Sequence, residues 1–130
     1  MPIKPIDILK FARTMVGDDE VQNRTASGRA HYASIHAAKD LIPDDVRSNA
    51  PVDTGFHSKI IDCIAKMGRD NKMSPTDAKM LVSALKFTKS KRVAADYYLN
   101  DAFTKEDAAD SVEHAGKIIN LVQRNVKASE

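Results

Sequence analysis

The segment GRAHYASIHAAKDL, residues 28–41, sets Arg29, His31, Tyr32 and His36 among small apolar residues. Arg29 and His36 stand seven residues apart. At about 100° per residue, seven helical steps return to within roughly 20° of the starting direction. The two side chains therefore share a face, with Tyr32 between them, while His31 leans away from that line. A guanidinium can hold a phosphate, and an imidazole can exchange a proton near neutral pH. One chemistry open to the pair is acid–base attack on a phosphodiester. The other reading is structural: an imidazole tied to a backbone carbonyl and an arginine bridged to a neighbouring helix. Spacing leaves both open.

A second group lies in KSKRVAADYY, residues 89–98. Leu81, Leu85, Thr88 and Arg92 continue one helical stripe, so Arg92 extends an apolar line that should face other helices. A charge placed there needs a partner. Asp96, four residues on, has the spacing for an intrahelical pair. Tyr97 follows as a phenolic hydrogen-bond donor. The group is either an arginine–aspartate bridge closing a helix end or an anion-binding arginine held by a carboxylate. Lys86, Lys89 and Lys91 are a solvated face in the first case. In the second they draw in RNA phosphates. His57 reads as a residue of a helix start, and His114 as surface or groove.

Other chemistries find no residues to carry them. There is no glycine-rich phosphate loop, no His-Glu-x-x-His, no Cys–His metal spacing and no Gly-x-Ser-x-Gly turn. Neither a metal nor a cofactor is implied. Cys63 is the one cysteine, which excludes an intrachain disulfide and fits a reducing cytoplasm. No stretch approaches the roughly 18 apolar residues of a membrane span. The expectation is a cytoplasmic protein with no membrane contact.

Five helical segments position these groups, with no convincing strand. The first covers about residues 5–15. The second, about 21–42, carries Ala26, Ala30, Ala33, Ala37 and Leu41 on one narrow face, and Pro43 stops it. Residues 43–55, PDDVRSNAPVDTG, are loop-like in composition. The third covers about 56–67. The fourth opens with SPTD, where Ser74 is an N-cap and Pro75 takes the first helical position. The fifth opens with TKED, a capping-box pairing of Thr104 with Asp107, and bears the stripe Ala108, Val112, Ala115, Ile119, Val122, Val126. The 130 residues read as a single domain, residues 1–130, with no linker and no repeat. Hydrophobic content is 42% but aromatics are only 5%, so the core must rest on Ala, Ile, Leu, Val and Met. The expected class is all-α, an up-and-down four-helix bundle with one extra short helix. The net charge of +2 is too mild to identify a nucleic-acid partner by itself.

In order along the chain, four segments resemble the signatures of the HEPN superfamily, small α-helical domains of prokaryotic toxin and defence systems. GRAHYASIHAAKDLI resembles its Arg-x-x-Tyr-Ala-x-x-His-Ala-Ala helix. HSKIID resembles its His-Ser helix start, RVAADYY its Arg-x-x-Ala-Asp-Tyr, and FTKEDAADSVEHAGKII its last helix. The resemblance implies a HEPN-like bundle, usually a homodimer, with a metal-independent endoribonuclease site in many members. Some members pair, as toxins, with a nucleotidyltransferase-type antitoxin. It assigns phosphate binding to Arg29 and Arg92, acid–base work to His36, and support to Tyr32, Asp96 and Tyr97. The family's catalytic motif places four to six residues between an Arg and a following His. After Arg92 those places hold Tyr97, Tyr98 and Leu99, whereas Arg29 and His36 do meet the spacing on an earlier helix. The alternatives are a catalytically degenerate module that binds RNA or a partner protein without cleavage, and a helical subunit of a larger assembly.

Overall fold

The computed structural model describes residues 2–43 and 55–129, which form five α-helices and no strand. They are α1 (Pro5–Met15), α2 (Glu20–Lys39), α3 (Phe56–Arg69), α4 (Pro75–Tyr97) and α5 (Lys105–Ser129). Most of the composition-derived loop, residues 44–54, lies outside the described residues. The all-α expectation holds. None of the described helices is long and apolar enough to cross a membrane.

Capping residues set the helix starts as their types dictate. Asp19 accepts from the Gln22 N–H at 2.9 Å, and Ser74 accepts from the Asp77 N–H at 3.2 Å. Thr104 and Asp107 bond reciprocally, each side chain accepting from the other's backbone N–H. Each such cap stabilises its helix by about 1 kcal/mol. The second helix ends three residues earlier than Pro43 requires, in a turn at residues 40–42. The third runs two residues past Met67, because GR still adopts helical geometry before Asn71 takes a positive φ of 57°.

The second helix is the axis of the fold and packs against all four others. Its alanine face is buried as expected, with Ala26, Ala30, Ala33 and Ala37 in the interior. The residues beside that face are buried too: Ser27, His31, Ser34, Ile35 and Ala38. His31, off the line of Arg29 and His36, is among them at 1% exposed. What remains open on α2 is a narrow strip through Thr25, Arg29 and Tyr32.

The main core joins Leu9, Ile35, Ile60, Ile64, Leu81, Leu85 and Ile118, and among the described residues no aromatic side chain is one of its buried members. Truncating one of these leucines or isoleucines to alanine costs about 2–5 kcal/mol. Without bulky rings, backbones come close. A Cβ built on Gly68 at the end of α3 would lie 2.5 Å from the Cβ of Ala78 in α4. Between α2 and α5, the buried hydroxyls of Ser27 and Ser111 meet at 2.8 Å.

Candidate functional site

The open strip of α2 forms one wall of a cleft of about 620 Å³, closed by the start of α3 and the second half of α4. Among the described residues four cations line it, Arg24, Arg29, Lys89 and Arg92, with one carboxylate, Asp96. Two imidazoles, His31 and His57, share its floor. The cleft thus brings together Arg29 and Tyr32 of α2 with Lys89, Arg92 and Asp96 of α4.

Arg92 reaches the cleft because α4 continues its buried stripe. Leu81, Leu85 and Thr88 are each fully buried, and Arg92 stands one turn further on. Its side chain is 24% exposed, and its Nη1 contacts Asp96 Oδ2 at 3.5 Å, the i,i+4 pair that the spacing allows. Its Nε is buried and has no hydrogen-bond acceptor among the described residues. The guanidinium is therefore under-satisfied, and a buried donor left so costs about 1–3 kcal/mol. Arg29 is exposed and lies over the Tyr32 ring, 4.9 Å from its centroid. The Lys89 ammonium donates to Ser58 Oγ at 2.7 Å, which uses one of its three protons.

Arg24 is different. Its guanidinium donates to the carbonyls of Ala94, Ala95, Tyr98 and Asp101 and also pairs with Glu20. Ala94 and Ala95 lie in the last turn of α4 and Tyr98 and Asp101 just beyond it, where carbonyls have spare acceptor capacity and a cation complements the negative end of the helix dipole. Arg24 is thus a clamp that fixes the end of α4, and with it Arg92 and Asp96.

Below the cations, His31 Nδ1 lies 2.9 Å from Thr88 Oγ1, and His31 Nε2 lies 2.8 Å from His57 Nδ1. The Thr88 hydroxyl donates to the Leu85 carbonyl at 3.1 Å. Burial first, then the neighbouring His57, Arg92 and Lys89, pushes the His31 pKa down to about 3. His57 is also held below the ordinary imidazole value, by burial and then by the charges of Arg92 and Lys89. Near neutral pH both rings are neutral, so His57 enters the cleft as a base.

The remaining sequence candidates fall elsewhere. His36 is half-buried and stacks beside Tyr32 with centroids 4.3 Å apart, outside the cleft lining. Burial lowers its pKa, with a further contribution from Lys39. Lys91 Nζ donates to Asp107 Oδ1 at 2.6 Å, bridging α4 to α5, because it sits two residues round the helix from Lys89. Lys86 borders a separate groove with Arg69 and Lys79. Tyr97 is 68% exposed and points away from Asp96's cleft. His114 stacks on Phe87 at 3.9 Å.

Two contributors escaped the sequence reading. His57 carried one signal, its place two residues after Gly55 at a helix start. Arg24 carried none, since its partners are backbone carbonyls that have no residue identity. Among the described residues, no three His, Cys, Asp or Glu side chains gather as ligands for a metal ion. Comparison of the chain with protein-family models, with curated proteins and with solved structures returned no match.

Proposed function

We propose that the chain is a HEPN-type helical bundle whose cleft binds RNA and cleaves its phosphodiester bonds without a metal. The observation that carries this reading is the cleft itself, where among the described residues four cations and one carboxylate surround a neutral imidazole. Such a charge balance selects an anion, and the under-satisfied Arg92 has donor capacity to offer it. Arg29 and Arg92 hold the phosphate. His57 takes the proton of the ribose 2′-hydroxyl, whose oxygen attacks the adjacent phosphorus. The bond to the 5′-oxygen breaks, and that oxygen takes the proton that His57 has gained, leaving a cyclic phosphate and a 5′-hydroxyl and returning His57 to its neutral form. His57 thus takes the role that the resemblance gave to His36. The reading includes a homodimer and, in a toxin–antitoxin setting, a nucleotidyltransferase-type partner.

One observation favours a second reading, an RNA- or protein-binding module without cleavage. His31 has both ring nitrogens engaged, and His36 lies outside the lining, so the cleft offers a single imidazole for both proton transfers.

The test is purified protein on single-stranded RNA with EDTA present. Cleavage by wild type that is lost in both His57→Ala and Arg92→Ala supports the first reading. Retarded RNA without cleavage supports the second. Neither binding nor cleavage, at any tested RNA concentration, refutes both.

A further inference from the structure

The floor of the cleft has a direction built into it. A hydroxyl carries one proton, and a carbonyl can only accept. Thr88 donates to the Leu85 carbonyl. Its oxygen can then only accept from His31, which puts the His31 proton on Nδ1. A neutral imidazole has one N–H, so His31 Nε2 keeps a lone pair. That lone pair faces His57 Nδ1 at 2.8 Å, and the contact is a hydrogen bond only if His57 donates. With the Thr88 proton on the Leu85 carbonyl, the donors run from His57 to His31 to Thr88 to that carbonyl.

We infer that His31 is a positioning residue, which holds the proton of His57 on Nδ1 and so makes Nε2 the basic atom of the cleft imidazole. The two rings are tilted by 55° with centroids 4.7 Å apart, so the contact is edge-directed rather than a stack. His31 can do this only while neutral. An N–H on its Nε2 would oppose the N–H of His57 across 2.8 Å. Its complete burial and the cations Lys89 and Arg92 keep it neutral. When Nε2 of His57 gains a proton, the Nδ1–H bond to His31 persists, so the ring does not turn during the transfer. A neutral acceptor in this place stabilises the imidazolium less than a carboxylate would, which suits a base that must give its proton up again.

The experiment uses proton–nitrogen correlation spectra of the histidine-labelled chain, which distinguish protonated from bare ring nitrogens, with His57→Gln for assignment. In wild type, His31 and His57 are both expected to carry their proton on Nδ1. Thr88→Val keeps the shape and removes the acceptor of His31 Nδ1–H. The pair should then reverse: His31 donates from Nε2, and the His57 proton moves to Nε2. Thr88→Ser should restore the wild-type pattern. A wild-type His57 protonated on Nε2 overturns the inference whether or not the valine variant folds. So does a folded Thr88→Val with unchanged tautomers. The kinetic arm rests on the RNA-cleavage reading. There Thr88→Val should lower the cleavage rate by about a hundredfold with RNA affinity unchanged, and Thr88→Ser should recover it. A wild type that never cleaves RNA removes that reading and leaves the spectra to decide the tautomer.

Discussion

Acidifying the protein from near pH 7.5 to about pH 5 should remove about 2 kcal/mol of stability through His31 alone. Unfolded, His31 takes up a proton at the ordinary value of 6.5; folded, it resists until about 3. The causes are its burial and, after that, the charges of His57, Arg92 and Lys89. Between those values the unfolded chain binds the proton and the folded chain does not. Stability therefore rises with pH across this window. The contribution is complete above 6.5 and is lost as pH falls, by up to about 1.4 kcal/mol per pH unit. Urea unfolding of wild type and His31→Gln at both pH values isolates it. Glutamine keeps a polar side chain and does not titrate. His57 is also held low, but by burial, Arg92, Lys89 and His36, none of which the substitution removes. Its slope therefore appears in both proteins and cancels. The stability gap between them should shrink by about 2 kcal/mol on acidification. A gap independent of pH, or a His31 imidazole that titrates near 6.5 in the folded chain, would refute the reasoning.

Other outcomes follow from packing and from the cations. Gly68→Ala should destabilise by about 1–3 kcal/mol in urea unfolding, and Ala78→Gly in the same chain should recover part of the loss. Arg24→Met keeps the apolar stem and loses the carbonyl clamp; it should cost about 2–3 kcal/mol and speed amide exchange at residues 94–101, with α1 unaffected. Asp77 receives Arg124 and Asn125 from α5, so Asp77→Ala should open the end of α5 to limited proteolysis at residues 121–127. Lys89→Ala should reduce the salt dependence of RNA binding by about one phosphate contact, whereas Lys91→Ala should leave it unchanged and destabilise the fold instead.

Local chemistry was legible in the sequence, and through-space chemistry was not. Ser74-Pro75 and Thr104-Asp107 announce their helices because a cap needs only residues within one turn. The stripe from Leu81 to Arg92 placed Arg92 at the edge of the core, and the Asp96 partner followed from helical spacing. Half the cleft was therefore readable, as Arg29 and Tyr32 on one helix and Arg92 and Asp96 on another. Which of His31 and His36 faces the cleft was not readable, because periodicity finds one buried face, while α2 packs against four helices and buries several. The contact from His31 to Thr88 spans 57 residues and that to His57 spans 26, distances over which no spacing rule operates. Lys89 and Lys91 look alike in sequence. Only the position of Asp107, on another helix, separates a cleft residue from a bridge.

The central place of α2 has a consequence during synthesis. Its broadest packing is with α5, the last of the five helices to be made. Until Lys105–Ser129 has emerged from the ribosome, one side of α2 stays exposed, and Ser27 lacks the hydroxyl it meets in the folded chain. The residues of the cleft all precede Lys105, but the helix that carries one wall of it cannot settle before α5 arrives. A growing chain would thus hold every cleft residue in its sequence while still unable to assemble them, and the delay ends only when the fifth helix docks.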